Sequence, residues 1–308
     1  MSDRLIEQII YSNPEQGIYR CLARSPGVAE DWLAIAERIC SGFGERPAGL
    51  ACPLALFAQP FDRKRVAIVQ VADQGQQSPS RPILAFRLLL VPRRLYADLE
   101  ADLFRISEQF PPDWTARGEI SSLEWTAGPA IPRSVDDIRR VLNVPADRTA
   151  TLLGGAQVLV DGGRVLFVRQ APDPGMVRDL WTLLPSSTRL ELWPATFAFS
   201  NRHRFSVIVS PHGEGPEFAH YMTEEGAGDY PEGRYEFALQ HAAETSNQAE
   251  IDALLARPSQ RSALRMALII LAVLALMSLV LNVPVPRPEE EAGQPPPAVV
   301  PKAPEEKR

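Results

Sequence analysis

The residues with the most chemical potential gather in the second half of the chain. His203, His212, His220 and His241 are its four histidines, and Glu214, Glu217, Glu224 and Glu225 fall among them. Convergence of His203, His212 and His220 on one ion would build a zinc centre able to activate water for hydrolysis. The spacing is not the HExxH pattern that places two imidazoles on one helix face. The host stretch 211–233 is polar and glycine-rich, which is loop chemistry. Solvated surface histidines are therefore the reading preferred, with no metal and no cofactor expected. A metal-dependent hydrolase using His203, His212 and His220 is the alternative.

Other nucleophiles lack a setting. Ser210 or Cys21 would need a base held by an orienting carboxylate, and no GxSxG elbow is present. Cys21, Cys40 and Cys52 form no CxxC and read as reduced core residues rather than a disulfide framework or a zinc knuckle. The glycine pairs Gly154-Gly155 and Gly162-Gly163 are followed by neither Gly-Lys-Ser/Thr nor a three-glycine dinucleotide spacing, so they read as turns. With a net charge of -6, a pI near 5.4 and scattered arginines, nucleic acid is not an expected partner. The opening MSDRLIEQII has no apolar signal-peptide core.

Placement of these groups depends on a C-terminal apolar run. Residues 263–283, ALRMALIILAVLALMSLVLNV, predict one transmembrane helix, with Arg265 snorkelling to the headgroups. Arg257, Arg261 and Arg265 precede it, and Glu289, Glu290 and Glu291 follow. The positive-inside rule then places the N-terminal region in the cytoplasm and residues 284–308 outside, with the lipid bilayer as a partner. That proline-rich, charged tail cannot bury a core and reads as disordered. It suggests a further alternative, an anchor that spans the envelope and works through its tail.

Ahead of the run, pattern and punctuation predict an α+β fold in two mixed subdomains with antiparallel hairpins. In the first, residues 1–130, strand runs 7–11 and 17–23 flank the turn residues 12–16, and a helix carries Trp32, Leu33, Ile35, Ala36 and Ile39. Strands 65–72 and 83–91 follow as a central hairpin, then one helix through Leu95, Leu99, Leu103 and Ile106 to Pro111-Pro112. In the second, residues 131–210, Ser134 and Asp137 resemble a capping box, and residues 147–154 add a helical turn or two. Residues 157–160 and 164–169 predict a hairpin about Asp161-Gly162-Gly163. A helix over 174–184 and strands near 189–193, 195–200 and 204–210 complete it. Residues 211–260 read as a loop and a stalk helix over 235–255.

Ser25-Pro26-Gly27 taken alone is a helix start, because a serine hydroxyl can cap free amides. In context, Gln8-Ile9-Ile10-Tyr11-Ser12, Gly17-Ile18-Tyr19 and Ala23-Arg24-Ser25-Pro26-Gly27-Val28 resemble the opening of the N-terminal domain of bacterial GTPase-associated proteins. Arg81 with Ala85-Phe86-Arg87-Leu88-Leu89-Leu90 is similar to that domain's arginine-to-strand segment, with arginine at 87 where the family pattern has histidine. Leu183-Leu184-Pro185 through Thr196-Phe197 faintly resembles the family's middle domain. The motif residues carried over are Tyr11, Ser12, Ser25, Pro26, Gly27 and Arg81. The resemblance implies a non-catalytic accessory module beside a GTPase, with the nucleotide chemistry on that partner. The expected function is a membrane-anchored cytosolic interaction module rather than an enzyme.

Overall fold

The computed structural model describes residues 4–12, 19–47, 49–78, 81–231 and 233–281. In chain order the first half carries β1 (Leu5–Ser12), β2 (Arg20–Arg24), α1 (Glu30–Gly42), β3 (Ala55–Pro60), β4 (Arg65–Ser78), β5 (Arg81–Pro92), α2 (Arg93–Asp98), α3 (Leu103–Gln109), β6 (Gly118–Glu119) and β7 (Leu123–Glu124). The second half carries α4 (Val135–Leu142), α5 (Ala146–Val160), β8 (Val165–Val168), α6 (Pro174–Leu183), α7 (Ser186–Arg189), β9 (Pro194–Ala195) and β10 (Val207–Ser210). It continues with β11 (Met222–Thr223), α8 (Glu224–Gly228), α9 (Arg234–Glu244), α10 (Gln248–Leu255) and α11 (Gln260–Leu281). The expected turn at 12–16 and the tail 284–308 lie outside the described residues, as do Asn282 and Val283 of the apolar run.

Among the described residues the strands form one 11-stranded mixed sheet in the order β11-β8-β10-β9-β3-β4-β5-β1-β2-β6, with β7 also paired to β1. This corrects the expected α+β class with its separate hairpin-built subdomains. The central strands β3, β4, β5, β1 and β2 are antiparallel, whereas β11, β8, β10 and β9 run parallel. The two parts join where β9 pairs antiparallel with β3 at Phe57 and Ala195. Leu56 N donates to Thr196 Oγ1 at 2.8 Å, and Thr196 N donates to Leu56 O at 2.8 Å. Phe43 fills the space above this seam, with ring centroids 5.8 Å from Phe57, 5.6 Å from Phe86 and 5.4 Å from Phe199.

The hairpin expected over 157–169 is instead a helix, a turn and a parallel strand. Residues 151–160 of α5 are buried on every face, so the segment shows no amphipathic stripe and its end, QVLV, has the apolar density of a strand. Helix α5 ends in a turn where Gly163 N donates to Val158 O at 2.8 Å and Gly162 takes a φ of 84°. Residues 189–193, expected as a strand, form the end of α7 and the turn after it. The single helix expected over 95–106 is divided by Glu100 and Ala101, at φ 52° and 56°. Ser246 at φ 57° divides the expected stalk helix.

Three side chains from outside the helix hold the end of α6. A helix leaves its last carbonyls without intrahelical partners, and here side chains occupy them. Arg189 Nε donates to Trp181 O at 2.7 Å, and Arg133 Nη1 donates to Thr182 O at 3.0 Å and Leu184 O at 2.5 Å. The Tyr235 hydroxyl donates to Leu183 O. Two guanidinium groups also suit the negative end of the helix dipole. At the start of α4 the Ser134–Asp137 capping box is present in both directions.

The expected transmembrane helix is overturned: among the described residues no helix is long and apolar enough to cross a membrane. Helix α11 begins with Arg261 and Arg265 inside its first turns, leaving residues 266–281 free of charge. At 1.5 Å per residue that section is about 24 Å, against a hydrocarbon thickness of about 30 Å. The single-pass topology, with its cytoplasmic and exported sides, falls with the span. Residues 1–262 form one compact unit and 263–308 a second. Ile269, Leu271, Leu276 and neighbouring residues of α11 are more than half exposed.

Tight packing of α5 on α8 gives a direct test. A Cβ on Gly154 would lie 1.9 Å from the Ala227 carbonyl oxygen, a backbone atom that cannot rotate away. Gly154→Ala is expected to destabilise the fold by about 2–3 kcal/mol, as overpacking does. Urea denaturation should show a lowered midpoint with an unchanged slope.

Candidate functional site

Ser25-Pro26-Gly27 follows β2 directly and wraps a carboxylate. Glu7 of β1 is buried, and its Oε2 accepts from Ser25 Oγ at 2.5 Å and from Ser122 Oγ at 2.8 Å. Ser25 Oγ also accepts from Gln8 N at 2.8 Å, while Ser25 N donates to Gln8 O at 3.0 Å. A Cβ on Gly27 would sit 2.2 Å from Glu7 Oε1, so any larger residue there would have to displace the clasped carboxylate. The motif therefore fixes the route of the chain from β2 towards α1 by clasping a buried acid. On its outer side it walls a cavity of about 450 Å³, lined also by Cys21, Leu22, Arg24, Glu30, Leu33 and Glu119. Arg24 and Glu30 pair across this cavity at 2.5 Å.

A second polar system crosses the middle of the sheet. Ile10, Arg87 and Gln70 lie side by side on β1, β5 and β4, and period-two alternation puts Gln8 on the same face. Arg87 is buried with neutral acceptors around it. Its Nε and Nη2 donate to Gln8 Oε1 at 3.0 and 2.8 Å, and its Nη1 donates to Phe110 O and Pro111 O, both at 2.8 Å, and to Gln70 Oε1 at 3.2 Å. Gln70 Nε2 donates to Ser107 Oγ at 2.8 Å, and Gln8 Nε2 donates to Ser121 O at 2.6 Å. Burial lowers the Arg87 pKa to about 10, against a pull from Asp113 in the other direction. A guanidinium held in this way pins the 107–121 crossover to the sheet, and that crossover carries β6 to the sheet edge.

Of the motif residues, Ser25 and Pro26 line the cavity, and the Tyr11 hydroxyl donates to the carbonyl of Leu33 in its wall at 3.0 Å. Ser12 bonds elsewhere, to Leu84 O at 3.1 Å. Arg81 lies opposite Ser78 at the far end of β5, and its side chain is outside the described residues. Glu7, Gln70 and Ser122 are functional positions that no sequence motif singles out. The available signal was a polar residue within an apolar strand, Gln70 in RVAIVQVA and Arg87 in ILAFRLLLV, since a buried polar group requires partners.

The histidines do not converge. His203 is packed against Phe57 and Phe205, with Nε2 2.9 Å from Ile39 O, whereas His212 and His220 are exposed. Among the described residues no group of three or more His, Cys, Asp or Glu side chains could hold a metal ion. Cys40 and Cys52 are buried and Cys21 is half-buried, all three as free thiols with pKa values raised by burial. Ser210 is fully buried at the end of β10. In comparison with known proteins, the chain matches no family model and no curated protein.

Two outcomes test the geometry. Ser25→Ala would strand the Gln8 amide and remove one donor from Glu7, at a cost of about 1–3 kcal/mol. Combined with Glu7→Gln, the loss should be less than additive in a double-mutant cycle. His203 has a pKa lowered from 6.5 by burial, with its Ile39 bond acting in the opposite direction. The unfolded chain therefore takes up this proton first, and stability falls as pH drops below 6.5. Urea midpoints at about pH 7.5 and about pH 5.5 should differ more in the wild type than in His203→Phe, which cannot titrate.

Proposed function

We propose that this chain is a non-catalytic protein-interaction module that takes a partner at the open edge of β2. The observation that carries this reading is the incomplete cover of that strand. β6 pairs only with Ala23 and Arg24 of β2, so among the described residues Cys21 and Leu22 have no ladder partner on the outer side. An extended segment can extend a sheet at such an edge, its backbone supplying affinity and a nearby pocket selecting one of its side chains. The cavity of about 450 Å³ lies beside these residues and is walled in part by Ser25 and Pro26.

A GTPase is the partner class proposed, from the resemblance of the motif segments. The sequence carries no phosphate-cradling glycine motif, so nucleotide hydrolysis would belong to the partner. The test is a titration of the full chain with purified GTPases in their GDP and GTP-analogue forms, followed by calorimetry. Leu22→Glu, which charges the cavity wall, should weaken binding about tenfold, or about 1.4 kcal/mol, with little change in melting temperature. Equal affinity of wild type and Leu22→Glu would remove β2 as the docking edge. Failure of every GTPase in both nucleotide states would remove the partner class.

A further inference from the structure

The chain is acidic overall, yet one end of its central sheet is strongly basic. β4, β5 and β1 are neighbours, and their register brings the start of β4, the end of β5 and the start of β1 to the same end. That end carries Arg63, Lys64 and Arg65 before and in β4, Arg93 and Arg94 after β5, and Arg4 before β1. Arg93 N donates to Lys64 O at 2.8 Å, which locks the two basic turns side by side. Trp125 N donates to Arg4 O at 3.0 Å, which brings Arg4 against the same end.

Three carboxylates stand against these six cations. Asp62 is engaged by the amides of Lys64 and Arg65 and by the Arg65 guanidinium, which also lies 3.9 Å over the Trp32 ring. Asp98 and Glu124 are the remaining acids at this end. Among the described residues Arg4, Arg63 and Lys64 are exposed and enter no ion pair. Arg4, Arg94 and Asp98 border a cavity of about 500 Å³ whose lining includes Leu95, Leu99, Trp125 and Pro129. Two cations and one carboxylate thus border a partly apolar recess large enough for an aromatic side chain.

We propose that this basic end is a second docking surface, for an acidic protein segment that places one large apolar or aromatic side chain in the Trp125 recess. The inference rests on the reading of the chain as a protein-interaction module and adds the partner's chemistry. Three strands span only about 10 Å, too narrow to follow a nucleic-acid phosphate track, and a polyanion would meet the net charge of -6 beyond the patch. A short acidic segment needs only the local field, and complementary charge would speed and orient its approach.

The experiment uses the full chain and a fluorescein-labelled, glutamate-rich peptide with one central phenylalanine, followed by fluorescence anisotropy. The wild type should bind it, and raising salt from about 0.1 M to about 1 M, which shortens screening from about 10 Å to about 3 Å, should abolish most of the binding. Arg63→Glu/Lys64→Glu should weaken binding about tenfold or more, and Arg94→Gln, a milder change, by a few-fold. Replacing the peptide's phenylalanine with alanine should cost a similar few-fold. Circular dichroism establishes that each variant is folded. Binding that is indifferent to both variants, or tighter binding to a single-stranded oligonucleotide or to anionic lipid vesicles, would overturn the proposal. Leu22→Glu should bind the peptide normally. If the peptide binds while every GTPase fails, the partner class falls and the basic surface stands; GTPase capture with no peptide binding is the converse.

Discussion

The pairing of β3 with β9 is the contact on which this architecture depends. It consists of one register pair, Phe57 with Ala195, and two reciprocal hydrogen bonds between Leu56 and Thr196. Through it a sheet built from antiparallel neighbours continues into one built from parallel strands. Such a short ladder is weak alone, since a net hydrogen bond contributes about 1 kcal/mol. Burial reinforces it: Phe57, Phe197 and Phe205 are fully buried around the seam, and Phe43 stacks across it. Apolar burial of this kind contributes about 25 cal/mol per Å², so a handful of aromatic rings outweighs the few hydrogen bonds they shield.

Buried polar groups decide where the irregular segments go. Arg87 reaches carbonyls at Phe110 and Pro111 that no helix or strand uses, and Glu7 collects hydroxyls from Ser25 and Ser122. Both systems fasten the 107–122 crossover, which supplies the short strand β6 at the edge of the sheet. Removing one member leaves the others buried without partners, which costs more than the bond itself contributes. The partly covered edge of β2 is therefore held in place by the core rather than by the few contacts of β6.

Two surface features then differ in kind. The β2 edge offers backbone groups and a cavity flanked by a mutually paired Arg24 and Glu30, so the recognition proposed there would depend on shape and strand geometry. The far end of β4, β5 and β1 offers an excess of cations beside a partly apolar recess, so the recognition proposed there would depend on electrostatics. A uniform net charge would hide the second feature, because a value of -6 for the chain describes no local field.

Local features were readable from sequence wherever short-range chemistry decides them. The central hairpin of β4 and β5, the helix through Trp32 to Ile39, the Ser134 capping box and the helix over 174–184 follow from alternation, periodicity and punctuation, and the structure has each. Periodicity failed for residues 157–160, because a helix buried on all sides shows no stripe, and the parallel pairing of β8 could not be read from a run of apolar residues. The apolar run 263–283 promised a span, but its uncharged part within α11 is too short once Arg265 is counted. Ser25-Pro26-Gly27 was visible as a motif, whereas Glu7, its partner 18 residues away, was not. The six basic residues at the sheet end are scattered from position 4 to position 94 and became one surface only when strand order and register brought them together. Sequence fixes what neighbouring residues do to one another; contacts across long separations depend on which strands pair, and that is settled only when the whole chain packs.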